Sequence, residues 1–571
     1  MQGELLLLLA LHLGLTALPG VAASLFAARL GEERLPLLLA VGLAASAASA
    51  MLAFWCYYAD RTVGETFTYL LLFGSVFLTG WSLHGGRIGR ATLRGLATPL
   101  GLWALGSAFL VFLGFLHGGT SEPLQTAATR FSGPLPSDNV LPGYFTEWFY
   151  AHGHHGHPVF PGPWLASDRP PLQVGYLLAQ RPLASFGPEL NYQVASVVLQ
   201  QLWIVGLWTL LLAVRLGRVT RGLVMLTVLV SDLAIVNGFF VWPKLLPAAL
   251  LLAAAALLLT PLWGELRRSP WAGALIGALL GLAMMGHGSS VFGVIPLAIV
   301  AAVRGLPSWR WLGVAALALV VVMAPWSAYQ KYGEPPGNRL LKWSLAGVVE
   351  VDQRGTVETI ADSYREAGLG GTLHNKAENF VTMAGGGPAW EALKRGVDSA
   401  GEGDWSQAVR EMRVIFFYDF FPSLGLLLLA PLLMLAGRRR GRERPHDWSF
   451  ALLCFAVVAI GCLAWGLLSF GNLAARTVVH VCSYALPILA FAGCVAGLRA
   501  VFPRFAVWYV GIAAALMLAL YVPAVEPLPG TAYSPWAGLL AAAALVGFGA
   551  LAFRDEAEVP TAPRRSAAPR G

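Results

Sequence analysis

The sequence predicts an all-α polytopic membrane protein, and three observations carry that prediction. Of 571 residues, 57% are hydrophobic and only 12% charged, against about a quarter charged in an average soluble domain. Apolar runs of about 17 to 25 residues recur almost end to end, each long enough to cross a hydrocarbon core about 30 Å thick as a helix. These runs are near-continuous, without the alternation of a barrel strand, so helices are the spanning form.

In chain order the runs are 5–28, 35–58, 66–84, 95–116, 193–214, 222–242, 245–262, 271–287, 289–303, 311–328, 415–436, 449–469, 480–498, 505–522 and 536–553, about 15 spans by the hydropathy rule. The first has no basic residue before it and carries Glu4, which reads as a span rather than a cleaved signal peptide. Arg87, Arg90 and Arg94 share one connection; Arg215, Arg218 and Arg221 a second; Arg267 and Arg268 a third; and GRRRGRER, 437–444, a fourth. An even number of spans separates these connections, so one orientation satisfies the positive-inside rule, with the N-terminus external and the C-terminus cytoplasmic. Two long connections, 117–192 and 329–413, then lie outside.

The expected organisation is 1–94 as N-terminal spans, 95–328 as a membrane core carrying the loop 117–192, and 329–413 as an external cap. A second group of spans occupies 414–553, and 554–571 is a Pro/Ala/Arg-rich cytoplasmic tail. The five Cys fall in or beside apolar runs with no CxxC pair, so neither a disulfide framework nor a cysteine zinc site is indicated. The net charge of +8 resides mostly in Arg of short connections. Topology accounts for it, and no nucleic-acid partner is expected.

Against this apolar background stands SDNVLPGYFTEWFYAHGHHGHPVFPGPWLASDRPPLQ, residues 137–173, with two Asp, one Glu, four His and one Arg. Pro142 suits the first turn of a helix. Phe145, Trp148, Phe149 and His152 follow at i, i+3, i+4, i+7, one face of a helix lying along the membrane surface. Asp138 and Asn139 precede it; taken alone, Asp138 could simply cap the turn. His152, His154, His155 and His157 read either as a structural or pH-sensitive turn or as a transition-metal site.

This loop resembles the first external loop of the GT-C glycosyltransferases, in the branch of the protein O-mannosyltransferases and the lipid A aminoarabinose transferases. The likeness runs through Asp138-Asn139, the helix from Pro142 to His152, and Arg169-Pro170-Pro171-Leu172. Where the family commonly has a second acidic residue, this chain has Asn139, and the first three spans are an addition to the family plan. AARTVVHVCSYALPIL, 474–489, is similar to the family's late segment, with Arg476, His480 and Tyr484 at the matching positions.

The resemblance implies a GT-C-like fold in a bacterial cytoplasmic membrane. It implies a polyprenyl-phosphate sugar donor and a saccharide, lipid or protein acceptor. Asp138 would act as general base in an inverting transfer, and an oxygen-ligated divalent metal is possible by analogy. Cations beside the leaving phosphate would stabilise its developing charge; the candidates are Arg169, Lys244, Arg339, Lys342 and Arg476, with His480 assisting and Asn139, Asp168, His287 and Tyr484 completing the substrate site. Lys244 reads equally as a snorkelling interfacial lysine, Arg339 and Lys342 as a solvated basic face, and His287 as a helix cap. Two other readings stand: a transporter or flippase of lipid-linked saccharides, with intramembrane Asp232 as its one candidate, and an oligosaccharide polymerase or ligase.

Overall fold

A computed structural model describes residues 2–554, except 133–134, 159–163, 188, 419, 438–443, 472–483 and 525–531. Among the described residues every regular element is helical. Nine helices among the described residues are long and apolar enough to cross a membrane: Gln2–Arg29, Leu35–Ala59, Arg61–Leu83, Arg90–Gly114, Glu189–Ala213, Trp309–Gly333, Pro445–Leu468, Pro503–Tyr521 and Pro535–Ala552. The pair Arg218–Leu229 and Asp232–Phe240, bent by 49°, reaches that length and apolarity only when its two helices are taken together. Five further apolar helices, Leu245–Leu258, Pro270–Gly286, Gly288–Arg304, Pro422–Gly437 and Ala485–Val501, are shorter. Each of the expected spans thus has a helical counterpart, but these five fall short of spanning length. The run expected at 245–262, for example, leaves the helix at Leu258, ahead of Thr260-Pro261. The chain is an all-α, multi-pass type of membrane protein.

Burial separates core from periphery. Glu189–Ala213 is enclosed over its apolar window, whereas Arg61–Leu83 and Trp309–Gly333 expose most of theirs, with Phe73, Phe77, Val320 and Val321 turned outward. Outward apolar side chains at this density suit a lipid solvent. Local chemistry sets the ends: Asp60 Oδ1 accepts the N–H groups of Thr62 and Val63 to start Arg61–Leu83, and Ser308 caps Trp309–Ala328.

The first spans are not an appendage. Leu35–Ala59 packs directly on Leu172–Gln180, the helix that follows Arg169-Pro170-Pro171. A Cβ on Gly175 would lie 2.2 Å from the carbonyl oxygen of Ala50, so only glycine allows this approach. Polar bonds reinforce it: Tyr176 donates to Ser46 Oγ at 3.1 Å, and Gln180 contacts His12 Nδ1 at 2.8 Å and donates to Thr16 at 3.1 Å. Gly175→Ala is expected to cost about 1–3 kcal/mol through overpacking. Thermal unfolding of the purified protein in detergent measures this; an unchanged midpoint would show that the contact does not hold the loop.

The helix expected after Asp138 is present as Leu141–His152, with Pro142 in its first turn and Gly153 at its end with φ 55°. Part of its aromatic face is covered by protein. Phe145 and Phe149 are buried in protein, and Phe149 meets Phe54 at 5.2 Å and Tyr329 at 6.5 Å between ring centres. Helical spacing shows which residues share a face; here the second span supplies its cover.

Candidate functional site

Both ends of the polar loop return to one cavity of about 1160 Å³, at or beyond the upper end of common ligand pockets. Asp138, Asp168, Arg169, Lys244 and His287 line it, together with Trp164, Trp242 and Trp343 and the apolar Met284, Phe292 and Leu341. Five of the residues singled out in the sequence therefore share one space.

Asp138 sits in the short turn Ser137–Val140, against the start of Leu141–His152. Its Oδ2 accepts from Arg169 Nη2 at 2.9 Å, and both side chains are largely buried. The two ends of the loop, 31 residues apart, thus meet as an ion pair. Arg169 also lies over the Trp164 ring at 4.1 Å, and Arg339 approaches the same ring at 5.2 Å. Arg339 Nη1 donates to Asp168 Oδ2 at 3.0 Å, with both groups at most 4% exposed. Burial pushes the Asp168 carboxyl above the usual carboxylate range, opposed by the Leu165 N–H and by the guanidinium groups of Arg339 and Arg169. Arg339→Gln would leave that carboxylate buried without its cation, an expected loss of about 3–5 kcal/mol. Adding Asp168→Asn should recover most of it; non-recovery in thermal melts of the double variant would contradict the pairing.

The segment after Trp309–Ala328 grips the loop from behind. Glu334 accepts the Ser167 N–H, and Gln330 donates to the Ser167 carbonyl at 2.9 Å. Sequence reasoning did not single out Glu334, Gln330 or Trp164. The last stands five residues before Arg169, and an indole at the end of a Pro-rich turn was the signal that could have found it.

Lys244 occupies the turn between Asp232–Phe240 and Leu245–Leu258. Gln200 Oε1 accepts the N–H groups of Leu245 and Leu246, and Gln173 contacts both Gln200 and the Val241 carbonyl, which fixes this turn. Val241 adopts φ 56°, a strained conformation for a β-branched residue. The Lys244 ammonium lies 3.8 Å from the Trp242 ring centre and 5.9 Å from that of Tyr484. The residue is 4% exposed, and its ammonium makes no hydrogen bond or ion pair with any described residue. His287 bonds Ser289 N and Oγ through Nδ1 at 3.1 and 2.7 Å. Because the Ser289 N–H donates to Nδ1, the ring proton sits on Nε2 in the neutral form.

The remaining expected site residues fall elsewhere. Asn139 is turned away from the cavity, its amide donating to the Leu124 carbonyl at 3.0 Å and its own carbonyl accepting from Tyr192. Lys342 shares the helix Arg339–Ala346 with Arg339, as their spacing requires, but it is fully buried. Its ammonium donates to the carbonyls of Asp352 and Arg354 and lies 3.9 Å from the Asp352 carboxylate. It is therefore a brace for the connection after that helix and not a solvated basic face. Tyr484 donates to Asn237 Oδ1 at 2.8 Å and stands behind Lys244. Arg476 and His480 lie outside the described residues.

Compared with protein-family models, with curated proteins and with solved structures, the chain matches none of them.

Among the described residues no donor set suits a divalent metal. Asp138 and Asp168 are each engaged by an arginine, and no three His, Cys, Asp or Glu converge among the described residues. His152, His154, His155 and His157 are exposed. His152 stacks on Trp148 at 4.3 Å, and His154 bonds the Tyr58 and Ala59 carbonyls, so the cluster is a turn packed on the end of the second span.

Proposed function

We propose that this protein is a GT-C-type glycosyltransferase that moves a sugar from a polyprenyl-phosphate donor to a hydroxyl acceptor at the external face of a bacterial cytoplasmic membrane. The observation that carries this reading is the convergence, in one large cavity, of the Asp138–Arg169 pair with His287 and with the Lys244 ammonium, which has no polar partner among the described residues. A carboxylate beside cations is what the transfer needs. The acceptor oxygen forms a bond to the anomeric carbon from the face opposite the phosphate. The carbon–oxygen bond to phosphate breaks with its electron pair going to the phosphate, and the acceptor proton passes to Asp138. Lys244 and Arg169 oppose the charge that grows on the leaving oxygen, and the Nε2 proton of His287 supplies a hydrogen bond.

Arg169 serves two partners in this scheme. A donor phosphate competes with Asp138 for the guanidinium, which binds phosphate with the same forked geometry as carboxylate. Drawing Arg169 toward the phosphate frees the carboxylate to accept a proton. Three consecutive wall residues also carry buried polar atoms with no partner among the described residues: Ser167 Oγ, Asp168 Oδ1 and Arg169 Nε. Such atoms cluster where a ligand completes the bonding.

The test is transfer of labelled sugar from polyprenyl-phosphate donors to membrane acceptors in reconstituted vesicles. Donor-dependent, product-forming turnover is the expected result, and its absence across a panel of donors would overturn the reading. One observation favours a second reading, a carrier of lipid-linked saccharides. The bent pair at Asp232 leaves both carboxylate oxygens of that residue without a partner among the described residues. Vesicle counterflow of a lipid-linked saccharide, abolished by Asp232→Asn and unaffected by Asp138→Asn, would favour it.

A further inference from the structure

Around the helix Arg339–Ala346 the charged groups neutralise one another. Arg339 is paired with Asp168; Lys342 is tied to the 352–354 connection; and Arg354 is paired with Asp352 and Asp362. Among the described residues, what this wall presents to the cavity is neutral. Trp343 stacks on Trp164 with ring centres 6.1 Å apart and planes at 21°, and both line the space. Gln353 lines it too, with an amide that bonds no described residue. Trp164 is in turn covered by Arg169, the partner of Asp138, so the indole pair adjoins the candidate base through a single side chain. One more cation borders the cavity, the exposed Lys331 on the preceding segment, whose ammonium lies 5.1 Å from the Tyr332 ring centre.

We propose that the Trp164–Trp343–Gln353 wall is an acceptor subsite for an uncharged saccharide; the inference rests on the glycosyl-transfer reading of the same cavity. The face of an indole is planar, apolar and electron-rich, which suits the polarised C–H groups on one face of a sugar ring. An amide donates and accepts at once, the requirement for a sugar hydroxyl. A charged acceptor would meet no unpaired, buried counter-charge on this wall among the described residues. The division of the cavity is then electrostatic: phosphate on the Lys244 side, neutral sugar on the indole side.

Saturation-transfer NMR on the full-length protein in lipid nanodiscs tests this, with mannotriose, maltotriose and cellotriose as neutral probes. Trigalacturonic acid serves as the charged counterpart, the form Lys331 would favour if it set the choice, and a Ser/Thr-rich peptide as the protein-like one. At least one neutral trisaccharide should saturate, and Trp343→Ala should weaken its binding by about tenfold. Trp343→Phe, which keeps a ring, should stay within about threefold of wild type on the same reasoning. Gln353→Ala, in an exposed connection, should weaken binding without affecting folding. Preference for the peptide or the acidic sugar, or indifference to Trp343→Ala and Gln353→Ala, would overturn the proposal. Undecaprenyl phosphate binding in the same nanodiscs separates the two levels. If the lipid binds and no neutral sugar does, the subsite alone fails; if the sugar binds and no polyprenyl-phosphate donor supports transfer, the glycosyl-transfer reading fails and the subsite stands.

Discussion

Asp138→Asn is expected to lower sugar transfer by about 10² to 10⁴ while leaving the protein folded, the loss that removal of a general base produces. Asparagine keeps the size of the side chain and an oxygen able to accept from Arg169, so the bond at 2.9 Å has a substitute. What it loses is charge and the capacity to take a proton. The kinetic pattern discriminates between roles. A base acts on the reaction step, so kcat should fall. Donor KM should be unchanged or lower, because Arg169, released from a carboxylate, is more available to the phosphate. If Asp138 only positioned Arg169, donor KM would rise and kcat would hold. Steady-state kinetics on reconstituted enzyme, with thermal stability measured alongside, decides between these. Turnover within a few-fold of wild type would remove Asp138 from the mechanism.

The all-α, membrane-spanning character was legible because apolar length and charge distribution report solvent directly. The helix after Asp138 was legible in position and not in environment. The spacing of Phe145 and Phe149 defines a face, but whether Phe54 or lipid covers it depends on a span about a hundred residues earlier. The same limit applied to Arg339 and Lys342. Their spacing placed both on one helix; their counter-charges, Asp168 and Asp352, come from different segments and leave neither as a free cation. Lys244 was legible as an anomaly, a cation beside apolar runs on the expected external side. Its burial without a polar partner among the described residues required the fold, in which Trp242 and Tyr484 surround it with rings. The first spans had no readable role because Gly175 and Ala50 contain no chemistry that announces their contact.

Lys244→Met is expected to stabilise the protein and to disable it. An ammonium on a residue only 4% exposed, with no hydrogen-bond or ion-pair partner among the described residues, costs free energy that aromatic contacts only partly offset. Burial, with Arg169 adding repulsion and Asp138 opposing it, holds its pKa well below the ordinary 10.5. A lysine whose folded value is depressed binds its proton more tightly when unfolded, so wild-type stability should rise with pH up to that ordinary value. Methionine has similar length and no charge, so the variant should lose that pH dependence and gain about 0.5–2 kcal/mol, as stabilising changes at functional positions do. The gain should be largest at the acidic end of the window. Activity moves the opposite way: without the ammonium, the leaving phosphate loses a fixed cation in a partly dehydrated site, an expected loss of about 10² to 10³ in kcat. A phosphate bound beside Lys244 would also raise its pKa, so donor binding should take up a proton at alkaline pH in wild type and none in the variant. Thermal melts across pH, transfer kinetics and calorimetry in buffers of different ionisation enthalpy read these three effects. A structural lysine would show the reverse signature, a less stable protein with intact turnover and no proton uptake, and that result would take Lys244 out of the site.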